Sequence, residues 1–318
     1  MQFVKQTNID FIGVRKYGYL ITAIAILVSF ISIGYYYSQT GSLFRWGLDF
    51  SGGIQLNVKF DQPVQEEQIR SALKPLNLED LTIQRAMIGN SQTFDIRTKA
   101  GGNMKDEVAK SQLAKTITNT LQQATPGNNM TVLSQDFVGS SVASDFIRRA
   151  SLAVLLSWLG IIVYLMWRFE FKFAAAGVFA LVHDTIITLG AISIFHVEFT
   201  LVVIAAILTN IGYSINDTII IYDRIREDRK LHRKMEFADI INLCTNQTLS
   251  RTILTVLTVL MVALCLFIFG GDTIHGFAFV LLVGVVTGTF SSIYVASPII
   301  LEWMNWEKRR AAKKADRK

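Results

Sequence analysis

Residues 199–227 read FTLVVIAAILTNIGYSINDTIIIYDRIRE. From Phe199 to Tyr222 the only charged side chain is Asp217. A bilayer core of about 30 Å needs roughly 20 apolar residues in a helix, and this run supplies them. Immediately after it come Arg224, Arg226, Arg229, Lys230, Arg233 and Lys234. An apolar run with a basic flank reads as a membrane span that ends on the cytoplasmic side. An ionisable group inside such a span is costly, so Asp217 is a functional hypothesis from the start.

Working outward, five more apolar runs appear at 18–36, 150–167, 173–195, 252–269 and 276–301. Among them only 173–195 holds a charged residue, Asp184. The chain is 51% apolar and 18% charged, against about a quarter charged for a soluble domain. That balance excludes a disordered chain, a collagen-like fibre and a disulfide scaffold. Irregular backbone cannot face lipid, so six spans mean six helices. The first run ends in Tyr35-Tyr36-Tyr37-Ser38 without a small-residue cleavage site, and reads as an anchor that stays.

Basic residues in the short segments set the orientation. Lys5, Arg15 and Lys16 precede span one, and Arg168 and Lys172 follow span two. The tail after Leu301 carries Lys308, Arg309, Arg310, Lys313, Lys314, Arg317 and Lys318. The opposite short loops, 196–198 and 270–275, carry none. Both termini are therefore expected on the cytoplasmic side: an N-terminal segment 1–17, a first span 18–36, an outer insert 37–145, five spans within 146–301, and a basic tail 302–318. Arg148 and Arg149 fall on the other side, at the end of a long insert where the rule is weak. The net charge of +6 suits anionic lipid headgroups, with no nucleic acid implied.

The insert is domain-sized. Residues 54–60 alternate as a strand, 64–76 form an amphipathic helix, and 81–87 and 93–98 are strands around a Gly89-Asn90 turn. Residues 103–124 form a second helix with Val108, Leu113, Ile117 and Leu121 on one face, and 131–138 a last strand. The order β-α-β-β-α-β is that of the ferredoxin-like split βαβ fold. Ahead of it lies GLDFSGG, with Gly47, Asp49, Gly52 and Gly53. No G-K-[ST] follows, so a tight backbone entry into the sheet competes with a phosphate cradle, and Asp49 reads as a turn residue.

In span four, Asn210, Ser214 and Asp217 recur at i, i+4 and i+7, with Arg224 at i+14 and Tyr213 and Asn216 flanking. Asp217 lies five residues before Tyr222, roughly 8 Å from the helix end. Arg251 opens span five from the same side and is long enough to reach that depth. Two readings stand. In one, Asp217 gains and loses a proton beside a guanidinium that stays charged. In the other, the pair is a static packing contact. His183-Asp184 in span three is likewise either a second station for protons or a polar clamp between helices. Gly284, Gly288 and Ser292 recur every four residues and read as a packing stripe. Cys244, in a cytoplasmic loop, and Cys265, in span five, cannot pair, and the four histidines lack metal-ligand spacing. No cofactor is implied.

The layout, GLDFSGG at 47–53, His183-Asp184, the run Ser214-Ile215-Asn216-Asp217-Thr218 into Tyr222-Asp223-Arg224-Ile225-Arg226-Glu227, and Ser250-Arg251-Thr252 together resemble the bacterial SecD–SecF protein-export family, a relative of the resistance-nodulation-division transporters. The resemblance covers nearly the whole chain and matches the smaller of that family's two partner chains. It implies an inner-membrane protein with 37–145 in the periplasm, without an ATPase site. It implies SecD, the SecYEG channel, a translocating preprotein and a small accessory membrane subunit as partners. It also implies use of the proton motive force to complete translocation. By motif, Asp217 becomes the proton-linked carboxylate and Arg251 its basic partner, with a further carboxylate from SecD. A small-molecule antiporter of the same superfamily would instead carry about twelve spans and usually two larger outer domains. A passive assembly subunit would tolerate loss of the Asp217 charge.

Overall fold

The computed structural model describes residues 7–85, 92–99 and 107–315. The chain divides into a sheet unit, Trp46–Leu152, and a helical unit, Met1–Arg45 with Ala153–Lys318. In order the elements are α1 Arg15–Thr40, α2 Leu48–Ser51, β1 Gly53–Phe60, α3 Glu66–Leu73, β2 Glu79–Arg85, β3 Gln92–Lys99, α4 Glu107–Ala124, β4 Met130–Val138, α5 Ser140–Arg168, α6 Phe171–Ile194, α7 Leu201–Leu231, α8 Phe237–Phe269, α9 Gly271–Ser291 and α10 Ser297–Ala315. A π-helical wide turn, Ser292–Ala296, joins the last two.

The sheet unit has the expected βαββαβ order. Its strands lie β2-β3-β1-β4, with every pair antiparallel, which is the ferredoxin-like arrangement. The period-2 pattern of β1 puts Ile54, Leu56, Val58 and Phe60 on the buried face. Ile69 and Leu73 of α3 and Ala114, Ile117 and Leu121 of α4 close over it. The first helix ends three residues early because Pro75 sits in a separate 3-10 turn, Lys74–Leu76. The Gly89-Asn90 turn, the start of the second helix at 103 and the Val108 side chain lie outside the described residues.

GLDFSGG is not a plain turn. Residues 48–51 make one helical turn, with Ser51 Oγ donating to the Gly47 carbonyl at 3.0 Å. The chain then leaves through Gly52 at φ 65° and Gly53 at φ 123°, a sequence of backbone states open to glycine without strain. That geometry accounts for the double glycine by itself.

Among the described residues six helices are long and apolar enough to cross a membrane, as expected: Arg15–Thr40, Val142–Arg168, Phe171–Ile194, Leu201–Leu231, Phe237–Phe269 and Ile274–Lys314. They sort into two classes. Half or more of the apolar window is buried in α6, α7 and the last span, against 11% in α1, α5 and α8. The first three form the interior, and the others turn apolar side chains outward. Several helices outrun their spans, α5 and α8 at their N-terminal ends. α5 begins at Ser140 and α8 at Phe237, because no Gly or Pro interrupts the polar turns ahead of the apolar runs. Cys244, expected in a loop, is therefore a buried residue of α8. The loop expected at 270–275 shrinks to Gly270, and α9 starts at Gly271, at φ 71°. The basic tail continues the last helix to Ala315 rather than standing apart.

α1 is held to α6 at one close crossing. A Cβ on Gly190 would meet the Ser29 backbone Cα at 2.7 Å, and Ser32 Oγ donates to Ser193 Oγ at 3.0 Å. Ahead of α1, residues 9–14 form a strap against α8. Ile9 N donates to Asn246 Oδ1 at 2.9 Å, and Asn246 Nδ2 returns a bond to Ile9 O at 2.8 Å.

Candidate functional site

Three helices place acids, amides and hydroxyls in the interior of the bundle. Asp184, on α6, is the best-satisfied of them. Its Oδ2 accepts from Ser214 Oγ of α7 at 2.5 Å and from Ser291 Oγ of α9 at 2.8 Å. Its Oδ1 lies 2.9 Å from His183 Nδ1. One carboxylate thus joins α6, α7 and α9, which is the geometry of an interhelical clamp. His183 is 3% exposed and stacks on Phe290, and its Nε2 has no hydrogen-bond partner among the described residues.

α7 and α9 meet along a ladder of small residues. A Cβ on Gly284 would fall inside the Asn210 amide, and one on Gly288 would lie 2.8 Å from Ser214 Cβ. Asn210 uses the space that Gly284 leaves, donating from Nδ2 to the Val280 carbonyl at 2.7 Å. Below it Thr218 Oγ1 and Ser292 Oγ are 2.8 Å apart. The stripe read as packing thus also brings hydroxyls to the polar face of α7. Ser291 and Thr218 belong to this site but were not singled out from sequence. Their signal was present, since Ser291 adjoins the stripe and Thr218 lies four residues after Ser214.

Asp217 sits on this face, 2% exposed, and its Oδ1 accepts no hydrogen bond among the described residues. The two buried acids therefore differ in kind. Asp184 is surrounded by donors, whereas Asp217 keeps an open oxygen that can accept a bond when ionised or carry a proton when neutral. The Arg251 charge acts on Asp217 through space, but the two form no salt bridge within 4.0 Å among the described residues. Arg251 is exposed, and its guanidinium has no partner among the described residues. The expected direct pair is thus an open one in this structure. Tyr213 lies beside the acid and donates its hydroxyl to the Thr255 carbonyl of α8 at 2.9 Å.

The extended stripe breaks up at its basic end. Arg224 turns to Gln247 at 2.5 Å and to Glu227 at 3.0 Å. Asn216 does not join the buried row and is exposed on the other side of α7. There it continues a row of exposed small or polar residues, Ala205, Thr209 and Gly212, at spacings of four, three and four. Gly47, Asp49, Gly52 and Gly53 belong to the sheet unit. Among the described residues no group of His, Cys, Asp and Glu could hold a metal ion.

Comparison with known proteins places these features. Residues 116–306 match the family model described as protein export membrane protein SecD/SecF, C-terminal, and residues 44–64 match the SecD/SecF GG motif. The chain is similar to the protein translocase subunit SecF of Desulfurispirillum indicum, at 42% identity over 93% of this chain and 91% of that one. It is also similar to the SecF subunit of Rickettsia bellii, at 39% identity over 94% of each. Among solved structures it matches SecDF of Thermus thermophilus, described as a translocon-associated membrane protein, with a TM-score of 0.79 and 32% identity. That match covers 94% of this chain and 39% of the longer one. A SecDF structure in a super-membrane-facing form matches with a TM-score of 0.65 and 31% identity, over 99% of this chain and 41% of that one.

Proposed function

This chain belongs to the SecD/SecF protein-export membrane family, and on that premise we propose that it is the SecF subunit of an inner-membrane complex that spends the proton motive force on completing preprotein translocation through SecYEG. The observation that carries the reading is Asp217, an acid buried in the bundle interior with one carboxylate oxygen free of protein donors. The Asp184 carboxylate is engaged by Ser214, Ser291 and His183, whereas the open oxygen of Asp217 leaves a place for a proton when water reaches it. Arg251, charged at every accessible pH, supplies the fixed partner against which the change is felt. Protonation of Asp217 weakens its attraction for Arg251, so α7 and α8 have two arrangements of different stability.

The energy source in this reading is the gradient. The sequence holds no G-x-x-x-x-G-K-[ST] motif, so nucleotide hydrolysis is left to other components of the machinery. One charge crossing the membrane is worth about 2.3 kcal/mol per 100 mV. Both termini then face the cytoplasm, where the basic flanks meet anionic lipid, and the sheet unit faces the periplasm. A small accessory membrane subunit completes the set of partners, and the sheet unit supports or docks rather than grips the preprotein.

SecD is the partner this reading needs, and the exposed row on α7 is a suitable seat for one of its helices. Asn216 is a polar group at membrane depth, which packs better against a helix than against lipid tails. Gly212 has no atom within 4 Å of where a Cβ would lie, leaving room for a close neighbour. A leucine at 212 is expected to leave the fold intact and to lower SecD copurification by about tenfold, the effect of some 1.4 kcal/mol at the interface. Unchanged copurification would place the SecD contact elsewhere.

The function itself is tested in inverted inner-membrane vesicles containing this chain, SecD and SecYEG. A preprotein is stalled by removal of ATP and a proton gradient is then imposed. Export should resume, stop on addition of a protonophore, and not resume in vesicles lacking this chain. Equal export with and without the chain contradicts the proposal.

A further inference from the structure

The strap ahead of α1 is built in more detail than an anchor requires. Asn242 and Asn246 lie one turn apart on α8, and both are used up by strap backbone or by Asp10. Ile12 N donates to Asn242 Oδ1 at 2.9 Å, and Asn242 Nδ2 donates to Asp10 Oδ1 at 2.7 Å. The same Asp10 oxygen accepts from Gly13 N at 2.8 Å, closing the turn. Asn246 brackets Ile9 through both its amide groups. Phe11 and Ile12 are buried in the core of the helical unit.

The far side of the strap touches the wide turn of the last span. Phe11 meets Tyr294 edge to face, with ring centroids 6.0 Å apart. Gly18 lets α1 close on the same ring, where an added Cβ would lie 3.0 Å from Tyr294 Cβ. Arg15 Nε reaches Glu302 of α10 at 3.2 Å. Two residues before Tyr294, Ser292 bonds Thr218, the neighbour of Asp217. On the opposite side, Arg251 follows Asn246 by five residues on one continuous helix, roughly 8 Å along the axis. The strap thus links the helix that carries the arginine to the turn that bonds Thr218, the residue after the acid.

We propose that the strap, through Asp10–Asn242, Ile9–Asn246 and Phe11–Tyr294, is the brace that sets where the Arg251 segment of α8 stands relative to Asp217 of α7, an inference that rests on the proton-coupling reading given above. Asn242 and Asn246 are positioning residues, since neither touches the acid or the arginine. The brace is engaged at neutral pH. The Gly13 amide and then Asn242 hold the Asp10 carboxyl below the usual carboxylate range. Its bonds are therefore fully present above the ordinary value and are lost only as the pH falls through the lowered one.

The test is a swap of partners in inner-membrane vesicles with SecD and SecYEG present. Asn242→Asp sets a second carboxylate against Asp10 and breaks the brace without changing volume. Asp10→Asn combined with Asn242→Asp restores one donor and one acceptor at the same place. Gradient-driven export should fall by about fivefold in the single variant, the scale set by loss of one or two hydrogen bonds. It should return to within about twofold in the double variant, with SecD copurification equal in all three. Should the single variant fail to accumulate, Asn246→Ala, which removes the Ile9 bracket and a bond to the Asn242 carbonyl of the same helix, is held to the same fivefold threshold. Wild-type export in the single variant, or a double variant that stays low, overturns the brace. Asp217→Asn is run alongside. If it keeps gradient-driven export, the proton-coupling reading and the brace fall together. If it loses export while the strap variant keeps it, the brace alone falls.

Discussion

Asparagine at position 217 is expected to give a chain that inserts, folds and binds SecD yet no longer responds to a proton gradient. The substitution keeps the shape of the side chain and removes its titration. Asp217 Oδ1 accepts no bond among the described residues, so the amide breaks none of theirs. A gradient of about 100 mV offers some 2.3 kcal/mol per charge, up to a fiftyfold bias between two arrangements. The whole of that bias should vanish, leaving export at the level seen with protonophore. Glutamate at 217 retains the titration and should keep part of the response. The assay is export under an imposed gradient, with SecD copurification as the control for assembly. Asparagine vesicles that respond like wild type would return the residue to a packing role.

Leucine at position 284 is expected to have the largest effect on folding. The glycine is where Asn210 fits between α7 and α9, and any side chain there enters the space of that amide. Asn210 must then turn away from the Val280 carbonyl, leaving a buried polar group unpaired. Overpacking and the lost bond together cost roughly 2–5 kcal/mol. The measured result is a lower melting temperature of the detergent-solubilised complex and loss of the chain from membranes. The smaller Gly284→Ala should lose less, and adding Asn210→Ala to it should recover most of the loss, because the clashing amide is gone. A Gly284→Leu protein that melts like wild type would show that α7 and α9 need no such close approach.

The spans and the sheet were legible because each follows from a local pattern. Apolar length marks a membrane helix, and alternation marks a strand such as Ile54–Phe60. Helix ends were less legible. The polar turns before Arg251 look like a loop when only hydropathy is followed, yet nothing in Phe237–Ser250 breaks a helix, and Cys244 is buried as a result. The interior face of α7 could be assembled from spacing alone, through Asn210, Ser214 and Asp217. Its partner could not, because Ser292, which pairs with Thr218, lies more than seventy residues away, and distance in sequence hides such pairs. Asn216 was grouped with the buried row by adjacency, whereas the helical period turns it outward. The N-terminal strap left no trace in periodicity at all, since its order comes from asparagines on α8 rather than from its own residues.

The wide turn at Ser292–Ala296 has a mechanical consequence. A π turn holds one surplus residue, and each residue of a helix rotates it by about 100°. Ser297 Oγ, donating to the Ser292 carbonyl at 2.9 Å, ties off the acceptor that the surplus leaves loose. The last span is in effect two shafts geared together out of phase. The upper one keeps its glycines towards α7, while the lower one aims Glu302 at Arg15 and Glu307 at Lys172. Passing the surplus residue one step along would re-aim only the residue it passes, so the two shafts keep their phase difference wherever in the turn the surplus sits.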